Sequence, residues 1–132
     1  MKQFLYLILL GYLTLFSLQA QEGERFVVVS YNVENLFDTD DNPETEDEEF
    51  LPMGARHWTK GRYYQKLQHI AQALIVAGEW DTPSLIGLCE VEGDSAVHAL
   101  LHRTSLRSVG YRYCITHGND KRGINVALLY DR

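Results

Sequence analysis

The sequence predicts a mixed α/β fold, and three segments of regular character predict it. Residues 26–31 form a β-branched run of strand length with apolar residues on both faces, which predicts a strand buried on both sides. Residues 85–91 form a second apolar run. Residues 60–77, between them, repeat their apolar side chains with helical periodicity. A strand–helix–strand unit of this length normally places its two strands in parallel in one sheet. The carboxyl ends of both strands then lie at one sheet edge, where α/β folds commonly form their sites.

Residues 1–20 have the character of an export signal and precede the predicted fold. Lys2 forms a short basic start, residues 4–16 form an apolar stretch, and Ala20 is a small residue suited to cleavage. The apolar stretch is shorter than the about 20 residues of a membrane-spanning helix. We therefore expect an exported protein, periplasmic or secreted, that is cleaved near Ala20 and not stably inserted in a membrane. An uncleaved N-terminal anchor is the alternative.

The charge of the chain is acidic. The 132 residues carry a formal charge of −6, and removal of the predicted signal with its single Lys gives −7. This balance argues against a basic surface that binds nucleic acid by charge alone. It does not exclude an enzyme that acts on nucleic acid, because a metal ion can bring phosphates into an acidic cleft.

The two cysteines, Cys89 and Cys114, both fall in predicted strands. Export would permit a disulfide between them. We expect two buried thiols instead, because cysteine packs well as a small core residue.

Residues 38–57 predict an exposed acidic loop. Eight of the twelve residues 38–49 are acidic, and like-charge repulsion favours an open, solvated segment. Four residues match the ligand spacing of an EF-hand calcium loop: Asp38, Asp40, Asn42 and Glu49. Pro43, however, occupies the position at which that loop requires glycine. We expect a solvated loop rather than a calcium site.

The first predicted helix has clear boundaries, because Thr59 can serve as its N-cap and Gly78 can end it. Its inward face is predicted to comprise Tyr63, Tyr64, Leu67, Ile70, Ala71, Leu74 and Ile75. Its outward face is predicted to comprise Lys66, Gln68, His69 and Gln72.

The second half of the chain predicts a short helix and a hairpin. The helix follows Gly93 and turns Val97, Leu100 and Leu101 inward. Residues 111–116 and 125–130 read as two further strands. The loop between them, residues 118–123, has the composition of a hairpin connection.

Each of the two predicted parallel strands ends in a residue that a buried strand would not choose. Asn32 ends the first strand and Glu90 ends the second, so the parallel geometry brings them together. A carboxylate with a nearby amide suits a hard divalent cation such as Mg²⁺, with waters and a substrate phosphate as further ligands. The alternatives are that Glu90 emerges into solvent and that Asn32 bonds its own backbone in a turn.

Two further charged residues are candidates for the same site. Glu34 points the same way as Asn32 if the chain is extended, and its carboxylate can take a metal directly or through water. Glu92, further into the loop, is a weaker candidate. Arg122, in the hairpin loop, could approach a phosphate, although an ordinary loop cation explains it equally.

The histidines do not predict a metal site. His98 and His102 are four residues apart on the second helix, a spacing compatible with zinc, but no third ligand is evident in the sequence. A polar helix edge explains them. The sequence also contains no Ser or Cys nucleophile motif and no glycine-rich phosphate loop.

Three segments together resemble the start of the endonuclease/exonuclease/phosphatase superfamily, the group of deoxyribonuclease-I-like enzymes. Residues 29–35 resemble its opening strand, which ends in an active-site Asn. Residues 87–91 resemble its second strand, whose Glu binds the catalytic metal, and residues 122–130 resemble a later Gly-Val-Ala-x-Leu-Tyr strand. The resemblance spans residues 26–132, and the acidic loop is similar to that of exported bacterial members.

The resemblance implies the N-terminal half of a two-sheet β-sandwich flanked by helices, a four-layer α+β arrangement that this chain would hold incompletely. It assigns residues 21–132 to one part of that domain. The family's general-base His, the Asp that orients it and an Asp-x-Asn pair belong to the second half of the domain, and no segment here matches them. The resemblance therefore implies a truncated chain that is inactive in isolation.

The resemblance also implies roles for the site residues. Glu90 would hold Mg²⁺ or Mn²⁺, Glu34 would be a looser match to a second acidic ligand, and Asn32 would contact the scissile phosphate. The implied reaction is in-line attack of an activated water on phosphorus.

The resemblance leaves the substrate open. It is expected to be a phosphate ester, whether nucleic acid, phospholipid or a small phosphoester, and no specific protein partner is expected. The alternative functions are a non-catalytic remnant and an exported module that binds divalent metal.

Overall fold

The computed structural model describes residues 25–79 and 81–131 as a mixed α/β structure, which confirms the predicted fold class. Its elements are β1 (Val28–Leu36), α1 (Lys60–Ala77), β2 (Leu85–Val91), α2 (Asp94–His102), β3 (Arg112–Ile115) and β4 (Asn125–Tyr130). Short 3₁₀ helices lie at Glu48–Phe50 and Ser105–Ser108. The predicted signal, residues 1–20, lies outside the described residues. No helix within the described ranges has the length and apolar character needed to cross a membrane.

The four strands form one mixed sheet in the order β1-β2-β4-β3. β1 pairs with β2 in parallel, as predicted, and Asn32 lies opposite Cys89. β4 pairs antiparallel with β2 and with β3. The carboxyl ends of β1 and β2 therefore share one edge of the sheet, the edge at which the sequence places the candidate site.

One face of the sheet carries the hydrophobic core. Alternation along each strand sends every second side chain to this face. The fully buried side chains there are Ile86, Leu88, Ala127 and Leu129. They belong to one buried cluster with residues of both helices, among them Leu67, Leu74, Val97 and Leu100. Burial of this apolar surface is the main source of stability for the sheet.

The opposite face, the open face, is apolar but exposed. Val28 is 59% exposed, Val126 is 48% exposed and Leu128 is 37% exposed. The prediction that the first strand is buried on both sides is therefore wrong. The strand lies at the edge of the sheet, and in the described structure the core covers only one of its faces.

Both cysteines lie on the open face of the sheet because of strand alternation. Both are free thiols, but the prediction that both are buried is wrong, since Cys114 is exposed and Cys89 is only partly buried. In register, Cys89 lies beside Val126 and Cys114 beside Leu128, so both belong to the open face.

Helix α1 begins and ends as predicted, although its end has an unexpected cause. Thr59 caps the start, and its Oγ1 accepts a hydrogen bond from the Arg62 amide at 3.4 Å. Gly78 keeps a helical φ of −75°, so it is not a left-handed cap. A Cβ at Gly78 would instead lie 2.1 Å from the Asp81 carbonyl oxygen, and only glycine allows this close approach.

Two residues of α1 depart from their predicted faces. Ile75, expected inward, is 46% exposed. Lys66, expected outward, is partly buried. Ile75 lines a surface cavity together with Pro83 and Val109. Lys66 is held by hydrogen bonds at the candidate site.

The acidic loop is exposed over most of its length, as predicted, but it is anchored at both ends. The rings of Phe37 and Phe50 stack with centroids 4.0 Å apart. The indole N–H of Trp58 donates to the Phe37 carbonyl oxygen at 2.9 Å. Asp47 is only 2% exposed, and burial raises the pKa of its carboxyl. Within residues 25–79 and 81–131, no three His, Cys, Asp or Glu side chains are grouped so as to hold a metal ion.

Candidate functional site

The candidate site lies where the regular pairing of β1 and β2 breaks down. The register shifts between Asn32 and Leu36 on β1 and between Cys89 and Val91 on β2. Glu90 is the extra residue of the second shift. Such bulges redirect side chains that regular strands would send to one face or the other.

Three residues of these bulges have left-handed backbone conformations that non-glycine residues rarely adopt. Their φ angles are 53° at Glu34, 62° at Asn35 and 64° at Glu90. Each such conformation costs roughly 1–3 kcal/mol and persists only where surrounding contacts enforce it. Strain of this kind clusters at binding and catalytic sites.

The contacts that enforce these backbone conformations join the two strands directly. The Asn32 side-chain amide donates to Glu90 Oε1 at 2.9 Å, and the Asn35 backbone amide donates to Glu90 Oε2 at 3.1 Å. We call Asn32, Asn35 and Glu90 the acid–amide cluster. Asn32 and Glu90 thus meet as the strand order predicts, and both oxygens of Glu90 are bound rather than free in solvent.

Asn32 also forms the alternative contact considered from the sequence, a hydrogen bond to its own local backbone. Its Oδ1 accepts a hydrogen bond from the Glu34 amide at 2.8 Å, which closes a turn through its own side chain. One asparagine therefore does both things, because the amide group donates to Glu90 while the carbonyl oxygen bonds the local backbone.

Glu34 does not have the extended backbone on which its predicted direction depends. The expectation that it points with Asn32 assumed an extended chain, and the left-handed φ at Glu34 breaks that assumption. Its side chain is exposed, and the two hydrogen bonds to Glu90 come from Asn32 and Asn35 instead.

Arg122 reaches the edge of the cluster from the hairpin loop. Its Nη1 lies 3.4 Å from Asn35 Oδ1. Its Nε lies 3.3 Å from Asp120 Oδ1, and Arg122 lowers the pKa of Asp120 by hydrogen bonding to it. A guanidinium therefore borders the cluster, with part of its charge balanced by Asp120.

Two residues of the site were missed by the sequence reasoning. Asn35 supplies the second donor to Glu90, and Lys66 Nζ donates to the backbone carbonyl oxygens of Glu34 and Asn35. Burial lowers the pKa of Lys66, while the charges of Glu34 and Glu90 act to raise it. A signal for Asn35 existed, because asparagine tolerates left-handed backbone better than most residues. No such signal marked Lys66, since helical periodicity alone turns it outward.

Glu92 and the histidines lie outside the cluster. Glu92 Oε2 accepts the Asp38 amide at 2.6 Å, and burial raises the pKa of Glu92 to about 7. The rings of His98 and His102 lie tilted by 45° with centroids 4.2 Å apart on an exposed helix edge. In the described part of the chain, no histidine side chain hydrogen bonds to Asn32, Asn35 or Glu90.

The donor set of the cluster fits a hard divalent cation. Each Glu90 oxygen accepts one hydrogen bond and keeps lone-pair capacity for a second partner. The carboxylate is partly buried and fixed in orientation, as a metal-binding carboxylate usually is. A single carboxylate is sufficient where waters and phosphate oxygens complete the coordination.

A mixed sheet that presents a fixed carboxylate, two amides and a bordering guanidinium at one edge defines a class of site suited to phosphate groups. The family model described as "Endonuclease/Exonuclease/phosphatase family" matches residues 27–132, and the chain belongs to this family. The resemblance found in the sequence is thereby confirmed. The family is one of phosphoester hydrolases, and its enzymes generally use divalent metal ions. Neither a curated protein nor a solved structure matches the chain significantly.

Proposed function

We propose that this exported chain carries the metal- and phosphate-binding part of a divalent-metal-dependent phosphoesterase. The observation that carries the proposal is the fixed Glu90 carboxylate, which Asn32 and Asn35 hold at the shared end of two parallel strands. Mg²⁺ or Mn²⁺ is the proposed ion. The substrate is a phosphodiester or a phosphomonoester.

Four residues in or beside the cluster have a proposed part in binding. A bound divalent ion would neutralise phosphoryl oxygens and activate water for attack on phosphorus. Glu90 is the proposed ligand, and Asn32 orients it by donating to Oε1. Arg122, which lies 3.4 Å from Asn35 Oδ1, is the proposed contact to a phosphoryl oxygen from the hairpin side. Glu34, whose carboxylate is exposed beside the cluster, is the secondary candidate for a ligand.

A second candidate function is binding without turnover. The described residues bring no histidine to the cluster, and phosphoester hydrolysis at neutral pH gains much of its rate from a positioned base. This observation favours a module that binds metal and phosphate but hydrolyses slowly. We therefore expect the 132-residue chain alone to show negligible phosphodiesterase activity.

Titration of Mn²⁺ into the signal-free chain, followed by calorimetry, tests the proposed metal site. We expect binding that Glu90→Gln weakens roughly tenfold or more, because the variant keeps the side-chain shape but loses the charged ligand. Glu44→Gln, which removes the same charge from the exposed acidic loop, is the matched control and should bind as the parent does. Equal affinity in the parent and Glu90→Gln would overturn the proposal, and a loss in Glu44→Gln would place the ion in the acidic loop.

A further inference from the structure

A cavity adjoins the acid–amide cluster. Its lining is mainly positively charged, although the chain as a whole is acidic. The cavity has a volume of about 380 Å³. Its lining includes three cationic side chains and two aromatic ones, together with Glu34 and Asn35: Phe50, Arg56, Trp58, Arg62 and Lys66. We call it the basic groove. Three cations gathered here are unexpected in a chain whose net charge is −6.

Two of these cations have no ion-pair partner, although the charges of Glu34 and Glu90 act on Lys66 from a greater distance. Arg62 Nη1 donates to the backbone carbonyl oxygens of Arg56 and His57. Lys66 Nζ likewise donates to backbone carbonyl oxygens. Among the described residues, neither side chain forms an ion pair, whereas Arg56 pairs with Glu49 at 3.0 Å. Neutral carbonyls fix the positions of Arg62 and Lys66 but leave their positive charges available to a ligand.

The floor of the groove is rigid. Trp58 is only 9% exposed, and its indole N–H is bonded to the Phe37 carbonyl oxygen. The Arg62 guanidinium lies 5.7 Å and the Lys66 ammonium 5.6 Å from the centre of the Trp58 ring. Both cations are therefore held over an aromatic surface, which is a favourable and orienting contact.

The arginines of the groove keep unused donors. Only Nη1 of Arg62 has a hydrogen-bond partner in the described structure, so its Nη2 and Nε remain available. Arg56 uses Nε on Glu49. A guanidinium with free, parallel N–H groups is the side chain best matched to phosphate oxygens.

The groove and the acid–amide cluster share a wall. Glu34 and Asn35 line the groove, while the Asn35 amide binds Glu90 on the other side of the same turn. Lys66 contacts both carbonyls of this turn. We propose that the basic groove binds a second phosphate group of the substrate while its scissile phosphate lies at Glu90, an inference that rests on the proposed function. Arg62 is the specificity-determining residue.

Two classes of substrate carry a second phosphate group close to the scissile phosphate. One is the backbone of a nucleic acid, and the other is a multiply phosphorylated small molecule or lipid headgroup. Paired probes separate them: the dinucleotide pTpT against TpT, and inositol 1,4-bisphosphate against inositol 1-phosphate. Each pair compares two phosphates with one on the same framework.

Calorimetry with the Mn²⁺-loaded, signal-free chain measures the preference for the second phosphate. We expect the two-phosphate probe of one pair to bind roughly tenfold tighter or more, as charge-assisted hydrogen bonds provide. Arg62→Gln should reduce that preference to within about threefold while Mn²⁺ binding and one-phosphate binding stay unchanged. Arg107→Gln, which removes an exposed arginine from the distant 3₁₀ helix, is the matched control and should keep the preference.

The outcomes separate the groove from the metal site. Two results would overturn the proposal that the groove binds a second phosphate. One is a folded Arg62→Gln variant that still prefers the two-phosphate probe. The other is a parent chain that binds Mn²⁺ but shows no such preference in either pair. Absence of Mn²⁺ binding in the parent overturns the proposed function instead. If Arg62→Gln fails to fold, Arg62→Lys gives the test, because lysine keeps the charge near the Arg56 and His57 carbonyl oxygens but lacks the parallel N–H groups. The pair that shows the preference identifies the source of the phosphate.

Discussion

Glu90 combines a strained backbone with a carboxylate whose two oxygens each accept one hydrogen bond. Its φ of 64° would be relieved by glycine, yet glycine would remove the group that Asn32 and Asn35 bind. The two hydrogen bonds are charge-assisted and therefore stronger than neutral ones. They offset the cost of the backbone conformation. The strained backbone at this position therefore persists because the Glu90 side chain makes these hydrogen bonds.

A neighbouring acid, Glu92, predicts a dependence of stability on pH. Its pKa in the folded chain is about 7 against an ordinary value of 4.5, with burial as the first cause. The folded state thus holds this proton more tightly than the unfolded state. Between about pH 4.5 and pH 7 the unfolded chain binds fewer protons at this group, and stability falls as pH rises.

Glu92→Gln should abolish this part of the pH dependence, because glutamine does not ionise but can still accept the Asp38 amide. We expect the melting temperature of the variant, relative to the parent, to rise between pH 5 and pH 7. Thermal melts at several pH values measure the difference, with Glu44→Gln as an exposed control that shows none. A constant difference across this range would contradict the raised pKa.

For single residues, the sequence predicted which residues meet better than it predicted which way their side chains point. Asn32 and Glu90 were brought together by strand order alone, which local patterns specify. The direction of Glu34 could not be predicted, because the alternation rule assumes an extended chain and a bulge interrupts the strand here. Lys66 was missed because its partners are backbone carbonyls, and these have no signature in sequence.

The end of α1 depends on a close backbone approach at Gly78. A Cβ there would lie 2.1 Å from the Asp81 carbonyl oxygen and 2.8 Å from Pro83 Cδ. Gly78→Ala should therefore lower the free energy of unfolding by about 1–3 kcal/mol, since the turn into β2 must shift. Urea denaturation measures the change as a lower midpoint with an unaltered slope.

Gly61 provides the matched control in the same helix. A Cβ at Gly61 would meet only Thr59 Oγ1, at 3.9 Å. Gly61→Ala should stabilise the chain by up to about 1 kcal/mol, because alanine is the better helix former. Equal effects of the two substitutions would show that helix propensity, and not the contact with Asp81, controls Gly78.

Helix boundaries could be predicted because their signals are local. Thr59 and Gly78 lie next to the turns that they determine, and both ends of α1 agree with the structure. The extent of β1 could not be predicted in this way. Its continuation beyond Asn32 to Leu36 depends on contacts with β2, more than fifty residues away in the chain.

The open face of the sheet governs the behaviour of the whole molecule. Val126 and Leu128 lie side by side with Cys89 and Cys114 on this face. Contiguous exposed apolar surface promotes association, and the unpaired outer edges of β1 and β3 add to it.

Replacing Val126 and Leu128 by threonine should reduce self-association of the signal-free chain. Threonine has the β-branched shape that a strand favours and lowers the apolar area. Light scattering after size-exclusion chromatography should show a smaller apparent mass for the double variant. Val76→Thr, at a helix position that is 75% exposed, is the control and should behave as the parent does. A monodisperse monomer in the parent chain would contradict the prediction.

The distances along the chain that the acid–amide cluster spans have a consequence for the order of folding. Asn32 and Glu90 are separated by 58 positions, and Arg122 and Asn35 by 87. Contacts between such distant segments form late, because the intervening chain must first be ordered, whereas the β3–β4 hairpin closes locally. Protection of the Asn35 amide against hydrogen exchange would then appear only when the whole sheet has formed. A nascent or partly unfolded chain carries these side chains without the site, so it is the completed fold that confers affinity for a ligand.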